Sequence, residues 1–166
     1  MVMGGGRDER YPRDWLLPES RDGYAFIERG QHGDALASFQ RAYDRAPRMR
    51  DDVQACAAAH MIAVQIARLN MDVLERHRWN VTALKHADLA EGERVASWYA
   101  SLYGSLGVTF RLLGQKDEAS EYLERGRALA EALPDDDYGR MVRQAIAPQL
   151  RLLAEDGGAA PPSEAL

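Results

Sequence analysis

Residues 23–42 read GYAFIERGQHGDALASFQRA, and residues 107–126 read GVTFRLLGQKDEASEYLERG. Laid over one another at an offset of 84, Gly23 falls on Gly107, Phe26 on Phe110, Gly30 on Gly114, Ala35 on Ala119, Phe39 on Leu123 and Ala42 on Gly126. Self-similarity at a fixed offset marks a repeat architecture. Each matched position has a physical role. A small residue on a first helix (Gly23, Gly107) lets a second helix approach closely, and the aromatic three residues on fills the space between the two. Glycine at the turn (Gly30, Gly114) allows a left-handed C-cap. Ala35 and Ala119 sit where the paired helices cross, and Phe39 or Leu123 fills the core one turn later. An offset of 84 leaves room for one more unit, which gives three repeats averaging 42 residues.

Outward from these stretches, apolar residues recur at helical spacing and period-2 alternation is almost absent. Turn signals divide the chain into seven expected helices, near 18–29, 34–46, 50–70, 72–90, 93–113, 117–132 and 138–154. Tyr138, Met141, Val142, Ala145, Ile146, Leu150 and Leu153 share one face of the last, which Pro148 is expected to kink or split. Asp135–Asp137 suit its start, where carboxylates meet unpaired N–H groups and the positive end of the helix dipole. Residues 1–12, Gly-rich and charged, and 155–166, small and acidic, bury too little apolar area to offset their ordering entropy and are expected to be disordered tails. One domain over 13–154 is left between them.

Composition narrows the function classes. The 166 residues are 46% hydrophobic and 28% charged, enough for one core with a wet surface. The net charge of -5 argues against nucleic acid, whose binding needs a basic face. No stretch approaches the roughly 18 apolar residues of a membrane span, and Met1–Arg13 has no apolar core of a secretory signal. Cys56 is the lone cysteine, which excludes an intrachain disulfide and fits a reducing compartment. A cytoplasmic protein is expected. Only Lys85 and Lys116 are lysines, and this Arg-for-Lys bias with abundant Ala suits a GC-rich bacterial coding sequence.

The small–aromatic–turn–Ala–large–small pattern, closing on Pro47 in the first copy, resembles the tetratricopeptide repeat (TPR) family. In the second copy Leu106-Gly107 and Tyr103 match that family's Leu-Gly pair and aromatic position. His60–Ala63, Arg78–Asn80 and Trp98–Tyr103 are similar to small stand-alone bacterial TPR proteins. The resemblance implies an all-α fold: a short right-handed superhelix of three TPR-like helix pairs, about 16–49, 51–90 and 93–133, plus a C-terminal capping helix at 138–154. The middle pair carries no Gly at its turn, so its register is open by one residue.

The family geometry implies a concave groove lined by the first helix of each pair. It presents Arg21, Tyr24 and Ile27 from the first pair and Val108, Arg111 and Leu112 from the third. With the middle pair set at +42, Ile62, Ile66 and Asn70 complete an apolar strip. A register slip there would instead put core residues in the groove. Two arginines and one asparagine fall short of the cationic cluster with which TPR proteins grip acidic peptide ends.

Candidate chemistry is sparse. His32, His60, His77 and His86 lack the spacing of a zinc motif, so no metal and no cofactor is expected. Cys56 and His60 share a helix face at i, i+4 but sit in an Ala-rich run where a small Cys simply fits. No nucleophile, base and orienting group occur together, so the chain is not read as an enzyme. His60, Trp79, Asn80, Trp98 and Tyr103 form an alternative ligand pocket, or else a structural hydrogen-bonded network between helices. The favoured expectation is a non-catalytic protein-interaction module that holds a peptide or partner protein, identity unknown, in the groove. The alternatives are a binder of an apolar small molecule, such as an accessory or resistance protein, and a self-assembling structural protein, for example a homodimer.

Overall fold

The computed structural model describes residues 13–158. Among these residues no strand occurs. The helices are α1 (Pro18–Glu28), α2 (His32–Arg45), α3 (Asp52–Arg68), α4 (Val73–Leu89), α5 (Glu93–Ala96), α6 (Tyr99–Leu112), α7 (Lys116–Glu131) and α8 (Asp137–Gly158), with a 3-10 turn at Ala46–Met49. Packing follows chain order. α1 pairs with α2, α3 with α4 and α6 with α7, while α2 rests on α3, α4 on α6 and α7 on α8. The all-helical class expected from the 3.6-residue period is therefore found.

The three hairpins share one turn. Gly30 (φ 71°) and Gly114 (φ 78°) take the left-handed conformation. Around Gly30 the N–H of Gln31 reaches the carbonyl of Phe26 at 2.9 Å and that of Gly30 reaches Ile27 at 2.9 Å. Gln115 and Gly114 repeat this on Phe110 and Arg111, at 2.9 and 3.0 Å. This pair of bonds is the Schellman motif, which satisfies carbonyls that a helix end leaves orphaned. The middle hairpin closes the same way on Asn70 (φ 50°), with Met71 N–H on Ile66 and Asn70 N–H on Ala67. Asparagine tolerates the left-handed region better than other side-chain-bearing residues, so the missing glycine hides the turn without abolishing it.

That turn fixes the middle register. Asn70 stands 40 residues after Gly30 and 44 before Gly114, while the N-cap Asp72 stands 41 after the N-cap Gln31. Met71 is the inserted residue. The offset is thus +40 on α3 and +41 on α4, not the +42 expected. Asp72 also caps more strongly than Gln31, accepting from Leu74 and Glu75 N–H at 3.3 and 3.2 Å.

Close approach in the outer pairs is set by glycine. A Cβ on Gly23 would lie 2.7 Å from Phe39 Cζ, and one on Gly107 would lie 2.5 Å from Leu123 Cγ. Phe39 and Leu123 are fully buried, and Tyr24 meets Phe39 edge to face at 5.3 Å. In the middle pair the equivalent of Gly23 is Ala63, and that of Phe39 is Asn80. Its core is correspondingly finer-grained, with Cys56, Ala59, Ala83 and Ala87 packed under Trp79 and Trp98.

Three expectations about elements change. The segment 93–113 is not one helix: α5 ends at Ala96, and Trp98 turns out to stack on Trp15 at 5.8 Å before α6 begins. Gln54 ties the same N-terminal stretch down, donating to the Trp15 carbonyl at 2.6 Å and accepting from Leu17 N–H at 3.0 Å. Pro148 does not split α8, because Val142 and Ile146 on one side and Leu150 and Leu153 on the other all pack on α7 and α6 residues, outweighing one lost backbone bond. α8 is capped as expected, Asp136 Oδ1 accepting from Gly139 N–H at 2.8 Å. Residues 155–158, placed in the C-terminal tail by composition, continue this helix. The expected tail at 1–12 and the rest of that at 159–166 lie outside the described residues.

Candidate functional site

The +40 register changes which face of α3 is available. The residues equivalent to the outward positions of α1 and α6 are Ala57, His60, Met61, Val64, Ala67 and Arg68, all part-exposed or exposed. Ile62 and Ile66, assigned to the groove at +42, are fully buried against Phe39, Ala35 and Leu36. Asn70 belongs to the turn, where its φ is its role. These three are corrections with a single cause: the residues that lengthen the repeat spacing lie after α3, in the middle turn and chiefly in the α4–α6 connection that holds α5, so α3 stands at +40.

The outer groove residues vary in availability. Arg21 is exposed, and Tyr24 and Ile27 are half-buried. The Arg13 guanidinium covers the Tyr24 ring at 4.1 Å. Burial pushes the Tyr24 phenol pKa up, with the Arg13 charge opposing. Leu112 is exposed, whereas Val108 packs into the cluster of Val142 and Ile146 from α8. Arg111 is engaged by α8, donating to Gln149 Oε1 at 3.2 Å and Asp156 Oδ2 at 3.3 Å.

The aromatic residues of the alternative pocket are engaged by other rings, and Trp79 and Trp98 pack on one core cluster. Trp79 meets Tyr43 edge to face at 4.9 Å, Trp98 stacks on Trp15, and Tyr103 lies between Tyr99 and Tyr122 under the Arg125 guanidinium. A cleft of about 360 Å³ lies elsewhere, between α7 and α8, lined by Lys116, Ser120, Glu124, Leu150 and Leu153 among others. His60 and Asn80 make polar contacts with α6. Asn80 Nδ2 donates to the Ser105 carbonyl at 3.2 Å, and His60 Nε2 lies 3.4 Å from Ser101 Oγ.

Sequence reasoning missed Arg76, which completes this group. In the +41 register it occupies the crossing position filled by Ala35 and Ala119, both fully buried. It shares the i, i+4 row of Asn80 on α4. Among the described residues its side chain has no hydrogen bond or ion pair; Asp72 caps α4, and Glu75 forms no pair with it. Burial lowers its pKa, and no anion opposes that. His60 is affected more strongly. Desolvation, and then the nearby Arg76 charge, push its pKa down to about 4, so the imidazole is neutral at physiological pH. Its Nδ1 is sealed from solvent without a partner, a state that costs about 1–3 kcal/mol.

Two other groups with chemical potential are held in structural roles. His86 bridges three helices, Nδ1 at 2.7 Å from Asp52 Oδ1 and Nε2 at 3.2 Å from the Tyr43 hydroxyl. Burial raises the Tyr43 pKa, which disfavours a phenolate nucleophile. Cys56 is fully buried and its thiol is pushed up to about 12 by desolvation and then by Asp88, so it carries almost no thiolate. His60 shares its helix, but pairs with Ser101 instead. No group of three His, Cys, Asp or Glu side chains that could hold a metal occurs among the described residues. No described helix is long and apolar enough to cross a membrane.

Neither protein-family models, nor curated proteins, nor solved structures give a match. The site is therefore read from its own chemistry: a half-buried cation, a neutral imidazole, a carboxamide and the Ser101 hydroxyl between α3, α4 and α6, flanked by the apolar outward face of α3.

Proposed function

We propose that this chain is a cytoplasmic, non-catalytic interaction module of tetratricopeptide-like repeats, wound as a short right-handed superhelix, that holds a peptide segment of a partner along the outward faces of α1, α3 and α6. The observation that carries this reading is the outward face of α3. Met61, Val64 and Ala67 stand part-exposed there, Val64 and Ala67 in register with Tyr24 and Ile27 on α1, and Leu112 is exposed at the end of α6. Apolar side chains at equivalent positions of successive pairs form a strip that suits one extended or helical segment. The three identically closed hairpins support the repeat assignment. Alternative occupants of the strip are a second copy of this chain and an apolar small molecule.

Native mass spectrometry of the protein purified gently from its host, beside a Met61→Glu/Val64→Glu double variant, tests this. A second polypeptide carried by the natural chain and lost from the variant is the expected result. A homodimer lost in the same variant transfers the face to self-assembly. A small adduct, or a partner that survives the substitutions, overturns the peptide reading.

A further inference from the structure

The middle pair breaks the pattern of its neighbours at three equivalent positions at once. Where the outer pairs have Ser20 and Gly104, it has His60. Where they have Ala35 and Ala119, it has Arg76. Where they have Phe39 and Leu123, it has Asn80. The outer residues at these places are small or apolar and buried, Ser20 Oγ being itself without a partner. The middle ones leave a half-buried guanidinium with no partner among the described residues and an imidazole Nδ1 with none. Local rules broken together, without an internal gain, mark functional sites more often than structural ones.

The chemistry of the group selects a ligand class. Arg76 offers a fork of N–H donors with no partner among the described residues, beside the His60 imidazole whose Nε2 lies 3.4 Å from Ser101 Oγ. The group contains no carboxylate, so nothing within it competes for these donors. The geometry points to a carboxylate-binding site between α3, α4 and α6, in which Arg76 grips the anion beside His60. His60 is held neutral, so the site carries one formal positive charge and balances one negative charge. A monoanionic carboxylate matches this, whereas a phosphate dianion leaves an excess charge in a partly desolvated site. Asn80, tied to the Ser105 carbonyl, is a positioning residue that fixes the α4–α6 spacing. The adjoining Met61 and Val64 favour an apolar group next to the carboxylate.

This inference rests on the reading of the α1–α3–α6 face as a binding surface, and its test separates the two. The full chain, labelled with ¹⁵N and ¹³C, is titrated by NMR with hexanoate, with hexanamide and with inorganic phosphate, in the natural form and as Arg76→Met and Arg76→Lys. Saturable shifts at His60, at the Arg76 guanidinium and at Ser101 are expected with hexanoate. Hexanamide should bind about tenfold or more weakly, the usual consequence of losing a charge-assisted hydrogen bond. Arg76→Met should lose the hexanoate shifts while remaining folded, and Arg76→Lys should retain weakened ones. Equal shifts from acid and amide at Met61, Val64 and Tyr24, unchanged by Arg76→Met, overturn the carboxylate site and leave the apolar face standing. Phosphate binding more tightly than hexanoate overturns the ligand class. The absence of shifts from all three probes overturns the site and removes support from the face.

Discussion

The outer and middle helix pairs use the same turn for different ends. In the outer pairs glycine on the first helix and a large apolar residue on the second interlock, so that Gly23 and Phe39, or Gly107 and Leu123, act as one packing unit. The middle pair keeps the Schellman turn but replaces that unit with Ala63 and Asn80 and adds Arg76 and His60 around it. Apolar interlocking of this kind is found in the outer pairs, while among the described residues each of the three pairs holds one buried polar atom without a partner, Ser20 Oγ, His60 Nδ1 and Arg111 Nε. The helix crossing is thus built differently in successive hairpins that share one turn.

The comparison breaks most visibly if the middle pattern is moved outward. Ala35→Arg places a guanidinium at a fully buried position packed against Phe39, Ile62 and Ile66, whereas Arg76 is only half-buried. The expected cost is about 3–5 kcal/mol, that of an unpaired buried charge, enough to leave much of the chain unfolded. Chemical denaturation against the natural protein measures it. A loss below about 1 kcal/mol would mean that this crossing position accepts a cation in any pair, and that Arg76 signifies nothing.

Phe39→Ala comes next, with an expected loss of about 3–5 kcal/mol from transfer and cavity terms together. Asn80→Ala, at the equivalent place, should cost only about 1–2 kcal/mol, since one hydrogen bond and a smaller volume are removed. Parallel denaturant titrations give both values. Equal losses would show that Asn80 is as much a core residue as Phe39, and would dissolve the division between the pairs.

A pH titration sharpens the same contrast. His60 has a folded pKa near 4 against an ordinary 6.5, because burial and the Arg76 charge disfavour its protonation. In the unfolded chain it takes up a proton as pH falls through 6.5, while the folded chain resists until about 4. Unfolding is therefore favoured progressively across that window, and stability from this group is present above it and lost within it. His77, lowered by burial, acts in the same direction. The natural protein should lose more stability between these pH values than His60→Ser, which installs the residue found in the first pair. Parallel Tm profiles for the two would contradict the burial of His60.

How much of this was legible in the sequence depends on the pair. The outer pairs were legible because their packing unit uses residues with few substitutes: glycine where a Cβ would collide, and glycine again where φ is positive. The middle pair was not, because its turn is made by Asn70 and no letter repeated there, and because an even split of 84 set the offset two residues long on α3 when the longer connection lies between α4 and α6. That slip moved Ile62 and Ile66 from the core to the surface and hid Arg76, whose significance appears only once it lies over Ala35 and Ala119. Trp79, Trp98 and Tyr103 looked like pocket residues by type, but each is occupied by another ring, a pairing that depends on chain separations no local motif records.

The smallest effect tests the turn itself. Asn70→Gly restores the residue that closes the outer turns, at a position already held in the left-handed region. Glycine adopts that conformation without the Cβ penalty but is more costly to order from the unfolded chain, so a gain of at most about 0.5–1 kcal/mol is expected. Asn70→Ala, which brings a Cβ without asparagine's tolerance of positive φ, should instead lose about 1 kcal/mol. The opposite signs matter more than the sizes. They arise only if Asn70 stands in for Gly30 and Gly114, and that equivalence fixes α3 at +40, turns Ile62 and Ile66 inward, and presents His60, Met61 and Val64 to a ligand. A destabilising Asn70→Gly would place the asparagine side chain, not its backbone, at work in the turn and would undo the register on which the site depends.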